Sequence, residues 1–196
     1  MPGGIEHAVH SFQIVYENEV ETEKDWHIVS LDADNAFNKA SRFVGLAETK
    51  KHIPEMLPVM REMYLDDSNG WYYGLASGIE AIKSSEGYHQ GDTMAGWGFL
   101  MTLNPLLKSL EEKIKDAFGE SEHWMGKYYV DNLTFSASWP VMQVILSHIE
   151  LEGKKYGFTF SKSKGDIIVP EQRSSHSAST IIQAKVCWFG FQSRNH

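Results

Sequence analysis

Asp32 closes the run His27-Ile28-Val29-Ser30-Leu31, which reads as a short buried strand ending on a carboxylate. Asp131 follows a second strand, Lys127-Tyr128-Tyr129-Val130, and with Asn132 forms a tight turn into Leu133-Thr134-Phe135. A carboxylate at a strand end and another at a hairpin tip are the minimum needed to hold magnesium, which takes oxygen ligands and keeps several waters. Two such ions, roughly 3.5–4 Å apart, support phosphoryl transfer by activating an attacking hydroxyl and steadying the leaving group. The plainer reading makes Asp32 a cap for the next helix. It makes Asp131-Asn132 a hairpin turn, since both residue types tolerate positive φ. Asn132 is in either case a neutral oxygen donor, which holds a dication less strongly than a carboxylate does.

Those residues need a sheet to bring them together. Ile5, Ala8, Val9, Phe12, Val15 and Tyr16 follow helical spacing, so an amphipathic helix is predicted over about 5–19, followed by a charged loop over 17–25. After the strand at 27–32, helices are predicted over about 36–50 and 54–65, with Pro54 suited to the first turn of the second. Trp71-Tyr72-Tyr73 and Ile79-Glu80-Ala81-Ile82 read as a hairpin around Ser77-Gly78. A long helix follows over about 93–117, capped by Asp92. After the 127–135 hairpin come a helix over 139–156, strands at 158–160 and 167–169, a Ser-rich loop over 171–179, and a last strand at 185–189. This order suits an α+β fold, an antiparallel sheet backed by helices on one face. In such a sheet the end of strand 27–32 can lie beside the 131–132 turn, although the two aspartates are about a hundred residues apart in sequence.

The chain has 196 residues and 42% hydrophobic content, enough for one domain with a sizeable core or for a compact piece of a larger enzyme. Six Trp, eight Tyr and ten Phe exclude a disordered chain. No apolar run is long enough to span a membrane, and Met1-Pro2-Gly3-Gly4 lacks the pattern of a signal peptide, so an intracellular location, nucleus or cytoplasm, is expected. Cys187 is the only cysteine, which excludes an intrachain disulfide and points to a reducing compartment. One Cys and nine scattered His give no zinc-site spacing. The net charge of −8 runs against nucleic-acid binding, which rests on Lys and Arg at phosphates. A local basic surface at Lys154, Lys155, Lys162 and Lys164, or further segments of a longer protein, would supply it.

Several motifs occur in a telling order. Leu31-Asp32-Ala33-Asp34-Asn35-Ala36-Phe37-Asn38 resembles the first catalytic motif of reverse transcriptases, particularly of the non-LTR (LINE-like) retrotransposon class. Glu86-Gly87-Tyr88-His89-Gln90-Gly91-Asp92 is similar to that family's glycine-glutamine-glycine-aspartate motif before a long helix. Tyr129-Val130-Asp131-Asn132 resembles its tyrosine–x–aspartate–aspartate turn, with Asn132 where the family usually has a second aspartate. Gly157-Phe158-Thr159-Phe160-Ser161-Lys162-Ser163-Lys164 and Trp188-Phe189-Gly190-Phe191 resemble the two later palm motifs, and Pro2-Gly3-Gly4-Ile5-Glu6 the opening of the fingers region. Each motif alone is weak, and the five from Leu31 to Phe191 in order are specific.

The resemblance implies a polymerase palm with a ferredoxin-like core and partial fingers, as a single domain over 1–196. About 1–26 and 38–85 would be fingers-side, 27–37 and 86–191 palm, and the thumb absent. It implies RNA-directed DNA polymerisation with magnesium, or manganese in its place. The implied partners are an RNA template, a DNA primer and dNTPs, with no membrane, and with thumb and fingers segments of a longer polyprotein. Metal ligands would be Asp32, the Ala33 carbonyl and Asp131, with Asn132 beside them. Asn35 and Ala36 would lend backbone amides to the triphosphate, and Gln90 and Gly91 would meet the nucleotide or template. Phe37 is either a core aromatic or a ring under the incoming sugar that excludes a 2′-hydroxyl. Lys164 is either an exposed turn lysine or a proton donor to pyrophosphate. Phe189 and Gly190 would grip the primer. Two other classes compete. One is a degenerate retroelement remnant that binds nucleic acid or protein without catalysis. The other is a different palm-type polymerase or nucleotidyl cyclase, against which the Gln90-Gly91-Asp92 and Trp188-Phe189-Gly190 segments argue.

Overall fold

The computed structural model describes residues 10–15, 17–18, 26–65, 68–74, 78–129, 132–160, 165–169 and 182–185. The chain divides into two compact units. One comprises Met1–Ala33, Lys113–Ser147 and Phe160–His196, and the other Asp34–Glu112 and His148–Thr159.

The first unit is built on a five-stranded antiparallel sheet in the order β4-β5-β1-β6-β7. Its strands are β1 (Trp26–Asp32), β4 (Trp124–Tyr129), β5 (Asn132–Ser138), β6 (Asp166–Val169) and β7 (Ile182–Lys185). β1 is the middle strand, and from His27 to Asp32 every second residue is buried. Its pairing sets His27 against Ala137, Val29 against Phe135 and Leu31 against Leu133, all of them buried. Successive residues alternate between faces, so Ile28, Ser30 and Asp32 share the other face with Ser136, Thr134 and Asn132. The apolar face carries the start of helix α5 (Trp139–Glu152), where the His27 ring lies 4.8 Å from that of Trp139. Val141, Met142 and Ile145 of α5 are fully buried. Trp26 donates its indole N–H to Ser136 Oγ at 2.6 Å, so neither buried polar atom is left orphaned.

The second unit holds the short helix α1 (Ala36–Lys39), α2 (Arg42–His52), α3 (Leu57–Tyr64), the hairpin β2 (Ser68–Gly74) and β3 (Gly78–Ser84), and α4 (Ala95–Phe118) up to Glu112. Along α4 the residues Phe99, Leu103, Leu106 and Leu110 recur at spacings of four and three and are all buried, giving one apolar stripe. Asp92 caps its approach by accepting the Met94 N–H at 2.9 Å, as its residue type predicts.

The sheet and the long helix agree with the sequence reading, while several boundaries differ. The helix predicted over about 36–50 is broken at Ala40, because the Ser41 side chain accepts the Val44 N–H and starts a new helix. The helix over 54–65 begins as a 3₁₀ turn at Pro54–Met56, and the helix over 139–156 closes as one at Gly153–Tyr156. The strand expected at 158–160 reduces to a single bridge between Phe160 and Ala33. The last strand lies at 182–185, ahead of the predicted 185–189, whose remaining residues fall outside the described ones. The helix predicted over 5–19 is helical at 10–15 and 17–18. No helix of the described residues is long and apolar enough to cross a membrane.

Candidate active site

In the sheet unit, Asp32 and Asn132 are direct register partners at the end of the β1–β5 ladder. Asp32 is half-buried and Asn132 exposed. The sequence reading put Asn132 in the turn. Instead it pairs with Tyr129 as the first residue of β5, so residues 130 and 131 alone connect the strands. The ladder holds it there, because the same residue must also pair with Asp32 on its other side. Asp131, Lys164, Phe189 and Gly190 lie outside the described residues. Among the described residues no three His, Cys, Asp or Glu side chains cluster as a metal site. The donors that the ladder end does offer, the Asp32 carboxylate and the Asn132 amide oxygen, are the hard oxygen type that magnesium and manganese take.

In the helical unit, Asn35 adopts a left-handed conformation (φ 51°) and stands as the residue before α1. Its carbonyl accepts the N–H groups of Asn38 and Lys39, and its side-chain oxygen accepts the Asn38 amide at 2.6 Å. Ala36 is buried behind it. Phe37 is half-buried, with its ring stacked on that of Phe99 at 4.7 Å. Gln90 and Gly91 are exposed on the turn before α4. Gly91 has φ +89°, and nothing lies within 4 Å of where its Cβ would be, so a ligand can approach the backbone there.

Three residues that the sequence reading passed over organise this unit. Arg42 is buried and reaches across to the Ser84–Gly87 segment. Its Nε donates to the Gly87 carbonyl, Nη1 to the Ser84 carbonyl at 2.8 Å, and Nη2 to Ser84 Oγ at 2.8 Å and the Glu86 carbonyl at 3.1 Å. Its guanidinium also lies over the Tyr64 ring, 5.4 Å from the centroid. A cation in the first turn of a helix opposes the helix dipole, and these four hydrogen bonds offset that cost. Tyr64 donates its hydroxyl to Asp92, the residue that caps the approach to α4. Burial first, and then the hydrogen bond and charge of Asp92, push the Tyr64 hydroxyl well above the usual tyrosine range. Tyr88, fully buried, is pushed the same way by burial. Its N–H donates to the Phe37 carbonyl at 2.6 Å. After Arg42 and Tyr64, Phe99 is the third residue that the sequence reading passed over, buried with its ring stacked on that of Phe37.

No family model matches the chain, and no curated protein matches it. Solved structures do. The apo telomerase of Candida tropicalis truncated from its C-terminal domain superposes with a TM-score of 0.68 at 16% identity, over 90% of this chain and 37% of that one. The Candida albicans telomerase in complex with a TWJ fragment of telomeric RNA gives 0.63 at 12% identity, over 90% and 32%. The corresponding Candida tropicalis complex gives 0.66 at 12% identity, over 91% and 33%. The chain thus spans about a third of the length of these neighbours. The likeness establishes the fold: α+β, with an antiparallel sheet arranged as in a polymerase palm.

Proposed function

We propose that this chain carries the palm of a reverse transcriptase and adds deoxynucleotides to a primer 3′ end on an RNA template. The observation that carries the reading is the Asp32–Asn132 pairing, which sets the terminal carboxylate of β1 opposite the residue that follows Asp131. In this reading Asp32 and Asp131, with the Ala33 carbonyl, hold magnesium or manganese, which when bound would lower the charge cost of phosphoryl transfer. Asn35 and Ala36 present backbone amides toward the triphosphate. The Phe37 ring occupies the position a 2′-hydroxyl would need. Gln90 and Gly91 border the nucleotide or template, Phe189 and Gly190 hold the primer, and Lys164 donates a proton to the departing pyrophosphate. An RNA partner is in keeping with neighbours solved with telomeric RNA fragments. Assignment to the non-LTR class rests on the Gln90-Gly91-Asp92 motif ahead of α4.

One observation favours the second reading, a remnant that binds nucleic acid without catalysis: an amide, not a carboxylate, faces Asp32. Primer extension on an RNA template with magnesium or manganese decides between them, with Asp32→Ala as control. Metal-dependent extension abolished in Asp32→Ala supports the polymerase. A wild-type chain that binds primer–template yet never extends it supports the remnant.

A further inference from the structure

The segment carrying Phe37 is fixed at both ends and on both sides. The Asp34 N–H donates to the Thr159 carbonyl at 2.7 Å, and the Ser41 N–H to the Tyr156 carbonyl at 3.0 Å. On the other side, the Phe37 carbonyl accepts from Tyr88 and the Ala40 carbonyl from Gly87, at 2.6 and 3.1 Å. With its backbone so held, the ring of Phe37 retains only side-chain freedom. Phe99 removes that on one face: the two rings are nearly parallel, 15° apart. Phe99 is 2% exposed and is itself braced edge-on by Phe158, with centroids 5.4 Å apart and planes at 67°. Phe158 is 1% exposed. The result is a row of three rings, half-buried at Phe37 and sealed at the other end.

A ring excludes one hydroxyl only if it cannot yield, because an unsupported side chain is displaced from its rotamer at little cost. In a close-packed interior the resistance comes from what stands behind it. We infer that Phe99 is a specificity-determining positioning residue: by backing the Phe37 ring it sets how strongly this chain prefers nucleotides without a 2′-hydroxyl. This rests on the polymerase reading above. Phe99 touches no substrate. Its effect passes through Phe37, and Phe158 contributes one step further back.

The test is the ratio of dNTP to rNTP use in primer extension by the full chain, as kcat/KM for each. Phe99→Leu opens space behind Phe37 and is expected to lower the ratio about tenfold, mostly by improving rNTP use. Phe158→Leu should lower it by less. Leu110→Ala, a buried substitution on the same helix away from Phe37, controls for lost stability and should lower both rates together with the ratio unchanged. Phe37→Val should give the largest drop. A ratio that falls with Phe37→Val but not with Phe99→Leu overturns the inference and leaves the polymerase reading intact. A ratio that falls equally with Leu110→Ala overturns it too, since loosening in general would then suffice. A chain that uses neither nucleotide, while Phe37→Val and Phe99→Leu leave the dNTP and rNTP affinities measured by titration alike, overturns both readings together.

Discussion

Asp32, the last residue of β1, and Asn132, the first of β5, face each other as direct partners on the polar side of the sheet. Partners of this kind hold their Cβ atoms about 4.5–5.5 Å apart, and like charges so placed are destabilising. Asn132→Asp would set two carboxylates against each other. In chelator we expect a loss of about 0.2–1 kcal/mol, and on adding manganese or magnesium a larger rise in Tm than the natural chain shows. Primer extension should also quicken. Thermal melts with and without metal, beside extension rates, check this. Identical metal-induced shifts in the two proteins would remove Asn132 from any metal site.

Arg42 is expected to be the most sensitive charged residue of the helical unit. Arg42→Ala strips donors from the carbonyls of Ser84, Glu86 and Gly87 at once. The Gly87 carbonyl is buried, and an unpaired buried acceptor costs about 1–3 kcal/mol; a loss of that order follows, with a smaller addition from the part-buried contacts to Ser84 and Glu86. Arg42→Lys keeps the charge but not the planar fork and should recover only part of it. Denaturant titration measures both, and a loss within experimental error for Arg42→Ala would refute the clamp.

Alkaline pH should weaken the fold through its buried tyrosines. Tyr64 and Tyr88 stay neutral in the folded chain above the pH at which an unfolded tyrosine ionises. Their contribution is therefore whole below about pH 10 and drains away as pH rises beyond it, since the unfolded state then gives up protons that the folded state keeps. Tyr64→Phe removes one of the two sources. Its stability should be lower than that of the natural chain at neutral pH, by about 0.5–1.5 kcal/mol, and fall less steeply in alkali. Ultraviolet titration of tyrosinate should show Tyr64 and Tyr88 ionising only on unfolding, and Tyr64→Phe should remove one of these two late ionisations.

Two glycines with similar backbone conformations should respond differently to alanine. Gly157 has φ +85°, and its added Cβ would run into the Lys39 carbonyl oxygen, whereas the surroundings of Gly91 are open. Gly91→Ala should cost about 1–2 kcal/mol of backbone strain. Gly157→Ala adds a clash with the backbone of α1 and should cost clearly more. Chemical unfolding of the pair checks this, and equal losses would show that the 157 turn can shift without penalty.

What could be read in the sequence was what local chemistry dictates. The apolar run ending at Asp32, the Asp92 cap and the apolar stripe of α4 each signal their own structure. The same local logic misplaced Asn132, because an asparagine suits a turn, and only pairing with both Tyr129 and Asp32 draws it into the strand. Arg42 and Phe99 were invisible for a related reason. Nothing near Arg42 in sequence predicts carbonyls some forty residues on, and Phe99 reads as one more apolar position on a helix until Phe37 is seen lying against it.

The central place of β1 has a consequence in time. Each β5 partner of this strand lies about a hundred residues downstream, Ser138 for Trp26 and Asn132 for Asp32. At a synthesis rate of about 5–20 residues per second, β1 leaves the ribosome on the order of ten seconds before its ladder can close. Throughout that interval its backbone N–H and C=O groups lack their strand partners and its apolar side chains lie uncovered. A newly made chain is thus most open to misassociation and to chaperone capture at the strand that will later be its best protected.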